Sequence, residues 1–176
     1  MEWVAGQPWS SGRIGTIGGS YGGWNQWLAA VLGNEHLKAM VAIVTPPEPF
    51  LNVPYQNGAF LLGMVDWMVL VDGRSMQNLS ANDLPSLYRH LPVLTIDEAA
   101  GRHSLWWRDW IQHGTYDDYW KQRSYQDEYD RVKAPALHIT GWYDDDQLGG
   151  LMSYPAMIAR GGSPEARAGQ RLLIGP

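Results

Sequence analysis

A chain of 176 residues, 45% hydrophobic and 12% aromatic with no Cys, has the make-up of a packed domain; this excludes a disordered segment, a disulfide scaffold and a Cys-based zinc site. The formal charge of −5, from 13 basic and 18 acidic residues, comes without a Lys/Arg cluster, so nucleic acid is not an expected partner. The longest apolar stretch, Ala59 to Val71, carries Asp66 and is too short to cross a bilayer, so no membrane partner is expected.

In chain order, Arg13 to Gly18 is a short β-prone run after a turn-rich segment. Tyr21 to Leu32 predicts a helix, with Trp24, Trp27, Leu28, Val31 and Leu32 at helical spacing and Gly33-Asn34 as the stop. Ala39 to Val44 is continuously apolar, as in a parallel strand buried on both faces, and Pro46, Pro47 and Pro49 end it. Gln56 to Val71 predicts a helix, and Ser80 is placed to cap a short helix around Asp83 to Leu91. Ser104 to His113 and Tyr116 to Arg123 predict further helices, dense in Trp and Tyr. Ala136 to Thr140 is a strand, Gln147 to Ala159 a helix, and Arg171 to Ile174 a last apolar strand before Gly175-Pro176. This alternation predicts an α/β fold with a mostly parallel sheet. Residues 1–46 and 133–176 form its core, and 47–132 are a helical cap insertion, longer than ordinary connections and so expected to be a functional lid.

The sharpest chemical signal is Gly18-Gly19-Ser20-Tyr21-Gly22-Gly23, a Gly-x-Ser-x-Gly placed between a strand and a helix. A serine on so tight a turn takes strained backbone angles, and side chains two residues away on either side, at Gly18 and Gly22, would collide. The turn exposes the Ser20 hydroxyl as a nucleophile and points the Tyr21 N–H at a developing oxyanion. A nucleophilic serine needs an acid and a His, in that chain order. Asp144, after the strand Ala136 to Thr140, is the expected acid; Asp145 and Asp146 meet the same spacing, and the three also suit a solvated, helix-capping turn. The base has no good candidate. His138 lies inside a strand, His36 follows the first helix, and His90, His103 and His113 fall in the insertion; His113 is the least badly placed. No His follows the last strand, so the base is expected beyond Pro176, and the chain is expected to be an interior slice of a larger catalytic domain.

Three blocks in this order carry a family resemblance: Ile14 to Trp27 with Gly-Gly-Ser-Tyr-Gly-Gly, Pro135 to Asp144 with Gly-Trp-Tyr-Asp, and Leu172 to Pro176. The chain resembles the cocaine esterase / X-Pro dipeptidyl-peptidase family of α/β-hydrolases, which includes the α-amino-acid ester hydrolases. The resemblance implies a partial α/β-hydrolase fold, with Ser20 as nucleophile, Tyr21 N–H as one oxyanion donor and Asp144 as triad acid. It also implies a catalytic His shortly after the Gly-Pro that closes the last strand, a second oxyanion donor (a Tyr hydroxyl) upstream of the nucleophile, and a C-terminal β-sandwich domain, none of which has a match here. In α-amino-acid ester hydrolases, carboxylates just beyond the acid hold the substrate's ammonium group; Asp146 matches such a position, whereas Gln147 replaces an acid.

The expected activity is therefore that of a serine hydrolase acting through an acyl-enzyme on a small-molecule ester or amide, or on a short peptide with proline in second position. No cofactor is implied, and no His-Glu-x-x-His or similar metal spacing occurs. Trp106, Trp107, Trp110, Trp120, Tyr116 and Tyr119 form an aromatic belt that either walls an apolar pocket or packs the insertion's own core, the latter being favoured. A rival reading is a non-catalytic truncated chain, or a binding module that uses this belt. Met1 to Gly6 has neither the basic nor the apolar region of a signal peptide, and the compartment stays open.

Overall fold

A computed structural model describes residues 1–73 and 78–176; residues 74–77, inside the expected insertion, lie outside the described residues. In chain order, α1 (Glu2–Ala5) leads to β1 (Ile14–Gly19), α2 (Tyr21–Val31) and β2 (Leu37–Ile43). A hairpin of β3 (Tyr55–Gln56) and β4 (Ala59–Phe60) follows, then the helices α3 (Met64–Val71), α4 (Leu84–Leu87), α5 (Ile96–Ala99), α6 (Leu105–Gln112) and α7 (Asp118–Lys121). β5 (Ala136–Gly141), α8 (Gln147–Arg160), α9 (Pro164–Ala168) and β6 (Arg171–Gly175) complete the order. The chain forms two compact units, Met1–Val53 with Gln122–Pro176, and Pro54–Lys121.

The first unit holds one parallel sheet of order β1-β2-β5-β6. Parallel strands need crossovers, and α2 and α8 supply packed layers against the strands they follow. One face is the core. Trp27 of α2 is fully buried, stacks on Tyr125 at 5.3 Å and 12°, and meets Tyr129 edge-on; Met40, Ala42, Ala136 and Met157 close around them. His138 on the same face is buried against Trp27, and its Nε2 is 2.7 Å from Gln170 Oε1. The opposite face departs from the expectation that β2 is buried on both sides. Ala39 is exposed and Val41 and Ile43 only half-buried, while in register with that face Ile17 is 74% and Leu173 56% exposed. An apolar run thus marks a parallel strand, but it does not by itself show how fully each face is covered.

The second unit packs Val65, Met68 and Val69 of α3 against Leu87, Ile96 and Trp107. The helix expected over Gln56 to Val71 is reduced to α3. Asn57 and Gly58 both take positive φ (49° and 87°), the geometry of a tight hairpin turn, so the chain reverses there before the helix begins. Ser80 does not cap the helix after it. Asn78 caps the 3₁₀ turn Leu79–Ala81, and Asp83 caps α4 by accepting from Ser86 N at 3.2 Å. The helix expected over Tyr116 to Arg123 shortens to α7. Trp107 and Trp120 of the aromatic belt are buried, Trp106 and Trp110 are half-buried, and Tyr116 is exposed.

Candidate active site

All four strands of the sheet run parallel, so the residues that follow β1, β2 and β5 emerge at one edge, the edge where α/β sheets place their ligand sites. Ser20 is the first residue beyond β1 and the cap of α2. It takes φ 52° and ψ −125°, a region costly for any residue but glycine. Neighbouring backbone holds it there. Ser20 N–H donates to Ile43 O at 2.9 Å, and Ser20 O accepts from Gly23 N and Trp24 N at 2.9 and 3.0 Å. The Tyr21 N–H lies in the first turn of α2, where amide protons find no acceptor within the helix and the helix dipole favours negative charge.

Of the two collisions expected in this elbow, one falls where expected and the other one residue further on. A Cβ on Gly18 would lie 2.8 Å from Gly22 O, so the collision foreseen there is real. A Cβ on Gly22 meets nothing within 4 Å; what Gly18 approaches is the Gly22 carbonyl, not a space that Gly22 must leave open. The second collision falls at Gly23, where a Cβ would sit 2.3 Å from Thr45 Oγ1. Gln26, one turn further along α2, fastens the elbow. Its buried Nε2 faces Gly18 O, Gly22 O and Val41 O at 3.2, 3.3 and 3.2 Å, two amide protons shared among three carbonyls.

The acidic turn after β5 supplies the carboxylates. Asp144 Oδ1 accepts from Asp146 N at 2.8 Å and so closes the turn that starts α8. The carboxylate that reaches Ser20 is Asp146: Ser20 Oγ donates to Asp146 Oδ2 at 3.3 Å. Asp146 is buried, and its other oxygen, Oδ1, has no hydrogen-bond partner among the described residues. Burial pushes its carboxyl up to about 6, repulsion from Asp144 and Asp145 adds to the rise, and the Ser20 hydrogen bond opposes it. Asn52, 1% exposed in the loop after β2, donates Nδ2 to Asp145 O at 2.8 Å.

The structure thus brings Ser20 and Asp146 together and sets Asp144 beside Asp146. Each histidine is engaged elsewhere or stands apart. Burial holds the His138 imidazole below the ordinary range despite its Gln170 hydrogen bond, and the ring faces the core. His36 meets Gly12 O and Glu2, His90 meets Thr95, and His113 Nδ1 lies 2.6 Å from Asp117 with its ring stacked on Tyr119; His103 is exposed. Among the described residues no group of three or more His, Cys, Asp or Glu has metal-holding geometry, and no helix is long and apolar enough to cross a membrane. The concavity lined by Asn82, Asp83, Leu87 and His90 belongs to the second unit and contains none of the predicted site residues. Sequence reasoning missed Gln26, Thr45 and Asn52. The Gly22-Gly23 doublet was the one local hint that something presses on α2.

A parallel sheet with a strained serine between its first strand and the following helix defines an α/β-hydrolase. Solved structures carry the same fold. An α-amino acid ester hydrolase superposes with a TM-score of 0.79 at 24% identity, over 99% of this chain and 30% of that one. A CocE/NonD family hydrolase from Staphylococcus aureus gives 0.66 at 25% identity, over 99% and 26%. An α/β fold family hydrolase from Bacillus anthracis gives 0.54 at 12% identity, over 94% and 60%. Cocaine esterase from Rhodococcus sp. (strain MB1 Bresler) is 27% identical over 195 aligned positions, which take in 100% of this chain and 33% of the esterase. The model of the X-Pro dipeptidyl-peptidase (S15) family matches residues 1–176, and the chain belongs to that family of hydrolases. It spans about a third of the length of the curated relative it matches.

Proposed function

We propose that the protein is a serine hydrolase that cleaves an ester or amide through an acyl-enzyme. The observation that carries this reading is the backbone of Ser20, held at φ 52° where the sheet ends, with its hydroxyl within hydrogen-bond reach of a carboxylate. Ser20 Oγ attacks the substrate carbonyl as its proton passes to a histidine, and the Tyr21 N–H receives the charge that develops on the carbonyl oxygen. Asp144 orients that histidine. Four of the five histidines make their contacts away from Ser20 and Asp144, and His103 is exposed; the reading therefore takes the base from outside these residues. Collapse of the tetrahedral intermediate expels the alcohol or amine, and water then releases the acid by the same steps in reverse.

The substrate classes in keeping with the family are small esters, acylated amines and peptides with proline in second position. Asp146 favours a substrate that carries an amine. Its Oδ1 is an acceptor without a partner, it stands beside the nucleophile, and its ionised form is short of a counter-charge. A substrate ammonium would supply both the donor and the charge.

The test is turnover of p-nitrophenyl acetate by the full-length enzyme, with labelling of the active serine by a fluorophosphonate. Ser20→Ala is expected to abolish labelling and to lower kcat about a thousandfold or more. Unchanged turnover in that variant overturns the assignment.

A further inference from the structure

The segment that leaves β2 touches both halves of the site. Val44 takes φ 40°, a left-handed conformation that a β-branched residue rarely holds, and its N–H donates to Ile139 O at 2.7 Å. The kink sets the buried Thr45 between the two helices that follow the site's turns. A Cβ on Gly23, in α2, would lie 2.3 Å from Thr45 Oγ1, and a Cβ on Gly149, in α8, would lie 1.5 Å from Thr45 O. Both helices approach this residue as closely as glycine allows. The loop beyond it is tied down as well. Tyr125 donates its hydroxyl to Pro46 O at 3.0 Å, Phe50 N donates to Glu48 Oε1 at 3.0 Å, and Asn52 N donates to Glu48 O at 3.1 Å. The loop ends by presenting the Asn52 amide to Asp145 O.

Asp145 O is a telling place for that hydrogen bond. It belongs to the peptide unit that joins Asp145 to Asp146, between the carboxylate that reaches Ser20 and the one assigned to the base. Fixing this carbonyl restrains both flanking side chains through the backbone. Within the turn Asp144 Oδ1 accepts from Asp146 N, Asp144 N donates to Gly141 O and Gln147 N donates to Asp144 O, while Thr140 Oγ1 ties its end to β5 by donating to Gln147 O. The tie from the β2 side is Asn52, buried and reaching across from the neighbouring strand's loop.

We infer that Asn52 is a positioning residue of the hydrolytic reaction: through residues 44–52 it holds the Asp144–Asp146 turn in register with the Ser20 elbow. The inference rests on the serine-hydrolase reading above. Loss of the amide donor leaves a carbonyl without its buried partner and frees the turn to shift, and displacements of about 1 Å in a catalytic constellation cost up to a hundredfold in rate.

The experiment compares Asn52→Ala and Asn52→Asp in the full-length enzyme, with p-nitrophenyl acetate as substrate and kcat normalised to the burst of titrated active serine, so that misfolded molecules do not count. Both variants are expected to lose about tenfold or more in kcat at pH near 8, with KM within about twofold. Asn52→Asp keeps the shape and regains a donor only when its carboxyl is protonated. Its deficit relative to the parent is therefore expected to shrink as pH falls toward about 5, while that of Asn52→Ala stays constant. Unchanged kcat per titrated serine in Asn52→Ala, or an Asn52→Asp deficit indifferent to pH, overturns the inference. If instead the parent enzyme shows no Ser20 labelling, it is the serine-hydrolase reading that falls, and the two failures are distinct.

Discussion

Asp97 and Asp146 are both buried, and the protein treats them in opposite ways. Asp97, in the second unit, has its charge answered on every side. Arg108 reaches it through Nε at 2.8 Å and Nη2 at 3.0 Å, and the N–H groups of Ser104 and Glu98 donate to it at 3.0 and 2.9 Å. Burial alone would push its carboxyl up, but these hydrogen bonds and the guanidinium together hold it below the ordinary range. Asp146, in the first unit, has a serine hydroxyl, one oxygen without a partner and two acidic neighbours, and it stands at about 6. One carboxylate is built to be charged and stay so. The other is kept near its titration point beside Ser20, an arrangement that costs stability and is typical of functional sites.

The largest effect should come from breaking the answered site. Asp97→Ala leaves Arg108, four-fifths buried, with only Glu98 as a carboxylate partner among the described residues, and should cost about 3–5 kcal/mol of unfolding free energy in urea titrations. A loss below about 1 kcal/mol would mean that the cluster is ornamental to the fold. Because Asp97 has a folded pKa below its unfolded value of 3.8, its stabilisation is complete above that value and is lost as pH falls through the folded one. For Asp146 the sign reverses. The folded state binds its proton more tightly, so protonation between about 6 and 3.8 favours folding, and above about 6 the charged carboxylate is a standing penalty of about 3 kcal/mol at most. Asp146→Asn should therefore raise stability by up to about 3 kcal/mol at pH 7.5, with the gain shrinking toward zero near pH 4. A variant that is destabilised at pH 7.5, or whose gain does not depend on pH, would show that Asp146 is an answered carboxylate after all.

The same contrast explains what could be read in the sequence. The Ser20 elbow is largely local: strand, Gly18, strained serine and helix lie within one short segment, and only the approach of Gly23 to Thr45 lies beyond it. The α/β order of the core strands was legible for the same reason, since each is a short β-prone or apolar run bounded by turn residues. Answered charges and positioning contacts are not local. Asp97 and Arg108 sit on separate short helices, and Asn52 meets a backbone carbonyl 93 residues away, an acceptor that every residue type offers equally. Gln26 likewise works on three carbonyls, which leave no trace in the sequence around them. The acidic run Asp144-Asp145-Asp146 announced a carboxylate site, but spacing gave all three the same claim; only the turn, closed by Asp144 on Asp146 N, decides which oxygen meets Ser20. The hairpin at Asn57-Gly58 was legible in principle, yet the longer apolar run beside it suggested a helix reaching back across the turn.

Ser104 offers the finest test of how Asp97 is answered, because two general rules make opposite predictions there. Ser104 caps α6, and replacing a serine cap by alanine ordinarily costs about 0.5–2 kcal/mol because the hydroxyl accepts from the helix's first free N–H groups. Here the hydroxyl makes no such bond. Ser104 is fully buried and its Oγ has no partner among the described residues, while its backbone makes the contacts: N–H donates to Asp97 Oδ2, and O accepts from Arg108 N at 3.2 Å. A buried hydroxyl without a partner is destabilising, and removing it leaves both backbone contacts in place. Ser104→Ala should therefore be neutral or stabilising by up to about 1 kcal/mol, read as an unchanged or slightly raised urea midpoint at constant m. A loss of about 1 kcal/mol or more would mean that the hydroxyl caps the helix in solution, and that Asp97 is held by a side chain as well as by the backbone and Arg108.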